Sequence, residues 1–135
     1  MQIFQVKTKP FSGSNYREVY HHATHYYRAL IAGTRRRPYM RSRYFKKQKI
    51  FLGLFWQHLF DKNVHDRTRR MKYLRCAIEL IAESPREPIT VENPNDKSGL
   101  LHRFYGATPD GQIFIVQIKQ DKRTRDKWFI SVFPT

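Results

Sequence analysis

The sequence predicts an α+β protein in which about three N-terminal helices pack on a C-terminal antiparallel sheet of three to four strands. Three observations carry this prediction. Apolar residues recur at helical spacing through residue 84, the period changes to two after residue 99, and strong turn signals separate the alternating stretches. With 135 residues, 40% of them hydrophobic and 15% aromatic, the chain can bury one core and is too short for two, so a single domain over 1–135 is expected. Its helical half falls at about 14–84 and its sheet half at about 88–135.

The first helix begins after Asn15, which with Glu18 forms a capping box, and carries Tyr16, Val19, Tyr20, Ala23, Tyr26, Tyr27, Leu30 and Ile31 on its apolar side. It should stop near Gly33. A second helix is predicted from near Ser42 to about Lys62, apolar nearly all round after Ile50 and therefore central. A third, capped near Asp66, buries Met71, Leu74, Ala77, Ile78, Leu80 and Ile81 and ends before Pro85. Its first turns are basic: Arg67, Arg69, Arg70 and Lys72 stand where the helix dipole prefers anions, a conflict that a bound phosphate would relieve.

Pro85, Pro88, Pro94 and Gly99 make residues 85–99 the crossing to the sheet, with at most a short strand at Ile89–Val91. Strands follow at 100–108, 112–121 and 127–133. The turn Thr108-Pro109-Asp110-Gly111 sets the first pairing, because Pro suits the first corner and Gly the left-handed position of a bulged three-residue hairpin. Thr108 then opposes Gln112, which places Arg103 opposite Gln117 and Phe104 opposite Val116. One face collects Phe104, Phe114, Val116, Ile118, Ile130 and Val132 as core. The other collects Arg103, Tyr105, Gln117 and Lys119, and an even register of the last two strands sets Ser131 beside Lys119.

Charge narrows the function. The formal net charge is +15, and all of the excess lies in the first 75 residues, with 18 Lys and Arg against 3 Asp and Glu; residues 76–135 hold 8 of each. So much self-repulsion points to a polyanionic partner, foremost nucleic acid. An anionic membrane would call for a basic segment with a bare apolar face or a lipidation signal, and neither is present; no apolar run approaches the length of a membrane span. The lone Cys76 sits in an apolar helical pattern, which fits packing and a reducing, cytoplasmic setting. Arg35, Arg36, Arg37, Arg41 and Arg43, clustered around Pro38, Tyr39 and Met40, suit phosphate and base contact, as do Arg67, Arg69, Arg70 and Gln117.

Fixed cations and a hydroxyl on a rigid sheet suit a reacting phosphodiester, although a wet sheet face collects Arg, Gln, Lys and Ser by default. Cleavage of RNA by its own 2′-hydroxyl needs help for that attack, cations on the pentacoordinate phosphorane, and an acid for the leaving 5′-oxygen. Arg103 and Lys119 can supply the cations, Ser131 a hydrogen bond to a non-bridging oxygen, and a histidine the proton. His58, in Phe55-Trp56-Gln57-His58-Leu59, is the preferred carrier, expected to be partly buried beside the sheet or the first helix. His102 points to the core side and is expected to be structural. His21, His22 and His25 lack a carboxylate or cysteine of matching spacing, so no metal is expected, and no phosphate-cradling glycine loop or other cofactor motif is present.

The order of helices followed by strands bearing His102-Arg103, Lys119 and Ser131 resembles the barnase, EndoU, colicin and RelE-like superfamily of small metal-independent ribonucleases, many of them toxins. The Phe55 to Leu59 segment is similar to the Phe-x-x-His-Leu helix motif of phage and mobile-element branches of that group. The resemblance, over about residues 50–135, implies endoribonuclease activity on messenger or transfer RNA and no metal, in a family whose members often have an acidic antitoxin partner. No glutamate base of the barnase kind stands on these strands. The competing readings are a non-catalytic RNA- or DNA-binding domain, with Tyr105, Phe129 and Phe133 as a stacking platform, and a module that docks an acidic protein.

Overall fold

Residues 39–51 form a β-hairpin where the sequence predicts a charged loop followed, from near Ser42, by helix, and this difference reorganises the fold. The computed structural model describes residues 1–135. In chain order it contains β1 (Ile3–Gln5), α1 (Tyr16–Ile31), β2 (Tyr39–Ser42), β3 (Gln48–Phe51), α2 (Leu54–Phe60), α3 (Val64–Met71), α4 (Leu74–Glu83), β4 (Ile89–Glu92), β5 (Gly99–Ala107), β6 (Ile113–Asp121) and β7 (Lys127–Pro134). The strands form one curled sheet in the order β1-β5-β6-β7-β3-β2. β4 and β1 share the outer edge of β5, β4 antiparallel along its first half and β1 parallel along its second. The pairing of β3 with β7 is also parallel. The expected three helices on a three- to four-stranded antiparallel sheet is therefore corrected to four helices with a mixed sheet of seven strands, drawn from both halves of the chain.

Each departure has a local cause. The apolar run from Ile50 to Phe60 has no clean period, so it reads as one helix although Ile50 and Phe51 are extended and only the part from Leu54 is helical. The turn joining β2 to β3 places Lys46 (φ 55°) and Lys47 (φ 69°) in the left-handed region without the Gly or Asn that would announce it. The hydroxyl of Ser42 accepts from the Phe45 N–H and holds that turn. The third predicted helix is two, broken at Lys72–Tyr73 with neither Pro nor Gly. The carbonyl released there, that of Lys72, accepts from the Phe11 N–H at 2.9 Å, so the N-terminal segment satisfies the break.

The break also removes the predicted clash between arginines and the helix dipole. Asn63, not Asp66, caps α3 by accepting from the Asp66 N–H, and Asp66 lies in the first turn. Arg69 and Arg70 fall in the last turn, where the dipole favours cations. No phosphate is required to settle α3.

Other expectations survive in detail. Asn15 caps α1 by accepting from the Glu18 N–H, and α1 ends at Ile31. The β5–β6 register matches the prediction: Arg103 opposes Gln117, Phe104 opposes Val116, and Gly111 takes φ 89° in the turn. The core clusters 22 buried residues, with Leu74, Cys76, Ala77, Ile78, Leu80 and Ile81 of α4 set against Phe104, Phe114, Val116, Ile118, Phe129 and Val132 of the sheet. The most buried helix is thus α4 rather than the predicted second helix. No helix is long and apolar enough to cross a membrane.

Candidate active site

The sheet face turned away from this core is organised by one extra residue. In β7 the pairing shifts between Ser131, opposite Gln117, and Phe129, opposite Ile118, so Ile130 is a β-bulge. The shift reverses the alternation along the strand. Phe129 turns into the core and stacks on Phe55 with ring centroids 4.9 Å apart, while Trp128 turns out to join Lys119. Two expectations are corrected here: the register of β6 with β7 sets Ser131 beside Gln117 rather than Lys119, and the bulge makes Phe129 unavailable as a stacking platform. Ile130, expected in the core, instead lines the open face.

Arg103, Gln117 and Ser131 therefore form a row across β5, β6 and β7, with Leu101, Lys119 and Trp128 as the next row. Above the first row lies a groove of about 450 Å³. One wall is the helical side, where His58 of α2, Lys62 just beyond it and Arg70 of α3 project; the facing wall is the turn Asn93–Asp96 after β4. Four cations, Lys62, Arg70, Arg103 and Lys119, border the groove with a single carboxylate, Asp96. The Ser98 side chain and backbone N–H donate to that carboxylate, at 2.6 and 3.0 Å from its Oδ1, and hold it below the usual range. Asp96 is thereby an ionised turn-former and a poor base.

The bonds within the groove assign roles. The Ser131 hydroxyl donates to Gln117 Oε1 at 2.9 Å, which leaves the Gln117 amide N–H groups aimed elsewhere. Arg70 is held by Asp66 at 3.1 Å and lies over the Phe133 ring at 5.1 Å, so its charge is placed rather than free to wander. His58 is exposed, on the polar side of a helix whose Phe55 and Leu59 are buried, and the expected partial burial is corrected. The four predicted catalytic residues, His58, Arg103, Lys119 and Ser131, thus border one groove, with Gln117 and Arg70 among its lining.

No family model, curated protein or solved structure matches this chain. With the predicted layout overturned as well, nothing in the fold ties it to the superfamily that its motifs resemble. The groove must be read from its own chemistry.

The remaining predicted contacts divide. Arg35, Arg36 and Arg37 are exposed on the loop after α1. Arg41 donates to the Lys47 carbonyl and Arg43 to that of Glu83. Arg67 donates to the carbonyls of Phe60 and Lys62, both at 2.7 Å, and so caps the end of α2. Arg69 pairs with Asp66 at 3.0 Å. His21 and His25 stack at 6.3 Å on α1, bordering a separate hollow with Arg75, and no group of three or more His, Cys, Asp or Glu is placed to hold a metal. His102 is buried with both ring nitrogens partnered. Lys62 escaped the sequence reading although it lies one helical turn beyond His58, and that spacing was the available signal.

Proposed function

We propose that the protein is an endoribonuclease that cleaves RNA by attack of the 2′-hydroxyl on the adjacent phosphate, without a metal. The supporting observation is the meeting of one exposed imidazole with four cations around a single groove. Arg103 and Lys119 rise from neighbouring strands of the groove floor, where they would face the equatorial oxygens of a bound phosphorane. Such fixed charges supply what a divalent ion supplies elsewhere, and they would repel one. The Gln117 amide donates to a non-bridging oxygen, and Ser131, through its bond to Gln117 Oε1, is a positioning residue. His58 stands on the wall, free to carry a proton to or from the sugar oxygens. Lys62 and Arg70 take the flanking phosphates.

The reading is tested by incubating purified protein with total RNA in excess chelator. Cleavage is expected in wild type, with losses of about a hundredfold or more in Arg103→Ala, Lys119→Ala and His58→Ala. Intact RNA with retained binding in wild type leaves a non-catalytic RNA-binding domain. If the protein is a toxin, poor growth on expression should be relieved by Lys119→Ala and by co-expression of an acidic antitoxin that fills the groove. Growth unaffected by the wild-type chain removes that part of the reading.

A further inference from the structure

The hairpin that the sequence conceals continues the groove into a row of aromatic rings. Tyr39 of β2 pairs with Phe51 of β3, Phe51 with Trp128 of β7, and Trp128 with Lys119 of β6. Residues paired directly across strands share a face. The three rings and Lys119 therefore cross four strands in line on the open side of the sheet, each half-exposed. The Phe51 and Trp128 rings lie 6.3 Å apart, and beside them is a hollow of about 190 Å³ that Arg37 and Gln57 also border.

Every ring in this row carries a cation. Arg37 lies 4.0 Å over Phe51, Lys49 4.5 Å and Arg41 5.6 Å over Tyr39, and Lys119 5.8 Å over Trp128. Half-exposed aromatics in line across a sheet, interleaved with guanidinium and ammonium groups, are the components of a single-strand platform, in which rings stack bases and cations follow the phosphates. A duplex hides its base faces and could use only the cations.

We propose that the row Tyr39–Phe51–Trp128 binds unpaired nucleotides of a single-stranded RNA whose adjoining phosphate sits in the Arg103–Lys119 groove. This rests on the proposed function for its substrate and fixes the class of that substrate: RNA that is single-stranded on the Trp128 side of the cut. In the free protein the cations shield the rings. On binding, bases take over the ring faces and Arg37, Arg41 and Lys49 move to the phosphates. Gln57, at the rim of the hollow, can hydrogen-bond the edge of the base stacked beside it.

The test uses 2′-O-methyl oligouridylate of about ten nucleotides, which lacks the attacking hydroxyl, and the same length as a 2′-O-methyl duplex. Fluorescence anisotropy is expected to show Trp128→Ala and Tyr39→Ala each weakening single-strand binding about tenfold or more, with duplex binding unchanged and Trp128→Phe largely restoring affinity. In a Trp56→Phe protein, where Trp128 is the sole tryptophan, the single strand should quench its emission and the duplex should not. Unchanged single-strand affinity, equal losses for both probes, or absent quenching in a protein with wild-type circular dichroism overturns the proposal. Because these probes cannot be cleaved, failure of the ribonuclease reading would show only in the total-RNA assay, and failure of the platform only here.

Discussion

His102 and Arg103 are adjacent in sequence, yet strand alternation sends one into the protein and the other into the groove, and their surroundings make them opposites. Arg103 is exposed and lines the groove. His102 is 6% exposed: Nδ1 is hydrogen-bonded with the Thr90 hydroxyl and Nε2 donates to Gln120 Oε1, both at 2.7 Å. Burial pushes its pKa below the usual value, the Gln120 bond pulls partly back, and the nearby Lys127 pushes down again. A base whose pKa is lowered in the folded state takes up protons more readily when unfolded, so its contribution is complete above the unfolded value of about 6.5 and is lost as pH falls below it. Urea denaturation of wild type at about pH 7.5 and 5.5 should therefore show lower stability at the acid end. In His102→Gln, the neutral-pH stability drops and that difference shrinks. An unaltered difference in the variant would show that His102 is not its source.

At the scale of elements, packing at Gly106 is what locks β5 to α4. A Cβ there would stand 2.8 Å from Leu80 Cδ1 and closer still to the Phe114 ring, and both neighbours are fully buried and unable to give way. Gly106→Ala should cost about 1–3 kcal/mol in chemical denaturation, as overpacked cores do. Gly53 is the control: nothing lies within 4 Å of its would-be Cβ, its φ is −64°, and Gly53→Ala should be neutral or slightly stabilising. Equal effects at the two positions would mean that the close approach at Gly106 is not real. The same elements show what a sequence discloses. The β5–β6 hairpin was legible because its turn carries Pro and Gly at the positions that demand them, and legible register placed Arg103 and Gln117 on one face. The β2–β3 hairpin was illegible because Lys46 and Lys47 adopt left-handed backbone without a residue type that signals it, so Tyr39 and Phe51 were hidden from the site. The α3–α4 break was invisible because its released carbonyl is satisfied by Phe11, more than sixty residues away. The bulge at Ile130 has no sequence mark, and it alone decides that Trp128 rather than Phe129 stands on the open face of the sheet.

Across the whole molecule, the +15 charge is not one device but two, and the structure separates them. Some arginines of the first half hold the fold: Arg67 caps α2 through two backbone carbonyls, and Arg75 donates to the Lys9 carbonyl at 2.7 Å while lying 4.6 Å over the Phe11 ring. Others project from the loop that leads into β2, where Arg35 and Arg36 are exposed next to the aromatic row. Only the second kind can exchange water and counterions for phosphate. On single-stranded RNA each phosphate contact contributes about 0.7 to the slope of log affinity against log salt. Arg35→Ala with Arg36→Ala should therefore weaken RNA binding and lower that slope by up to about 1.4, with the melting temperature unchanged. Arg67→Ala should do the reverse, costing about 0.5–1.5 kcal/mol of stability through the lost bonds to the Phe60 and Lys62 carbonyls while leaving the slope of the folded protein as it was. If instead Arg67→Ala lowers the slope and the loop pair does not, the phosphate path crosses the helical wall at α2 and α3 rather than the hairpin, and the direction of the bound strand must be redrawn.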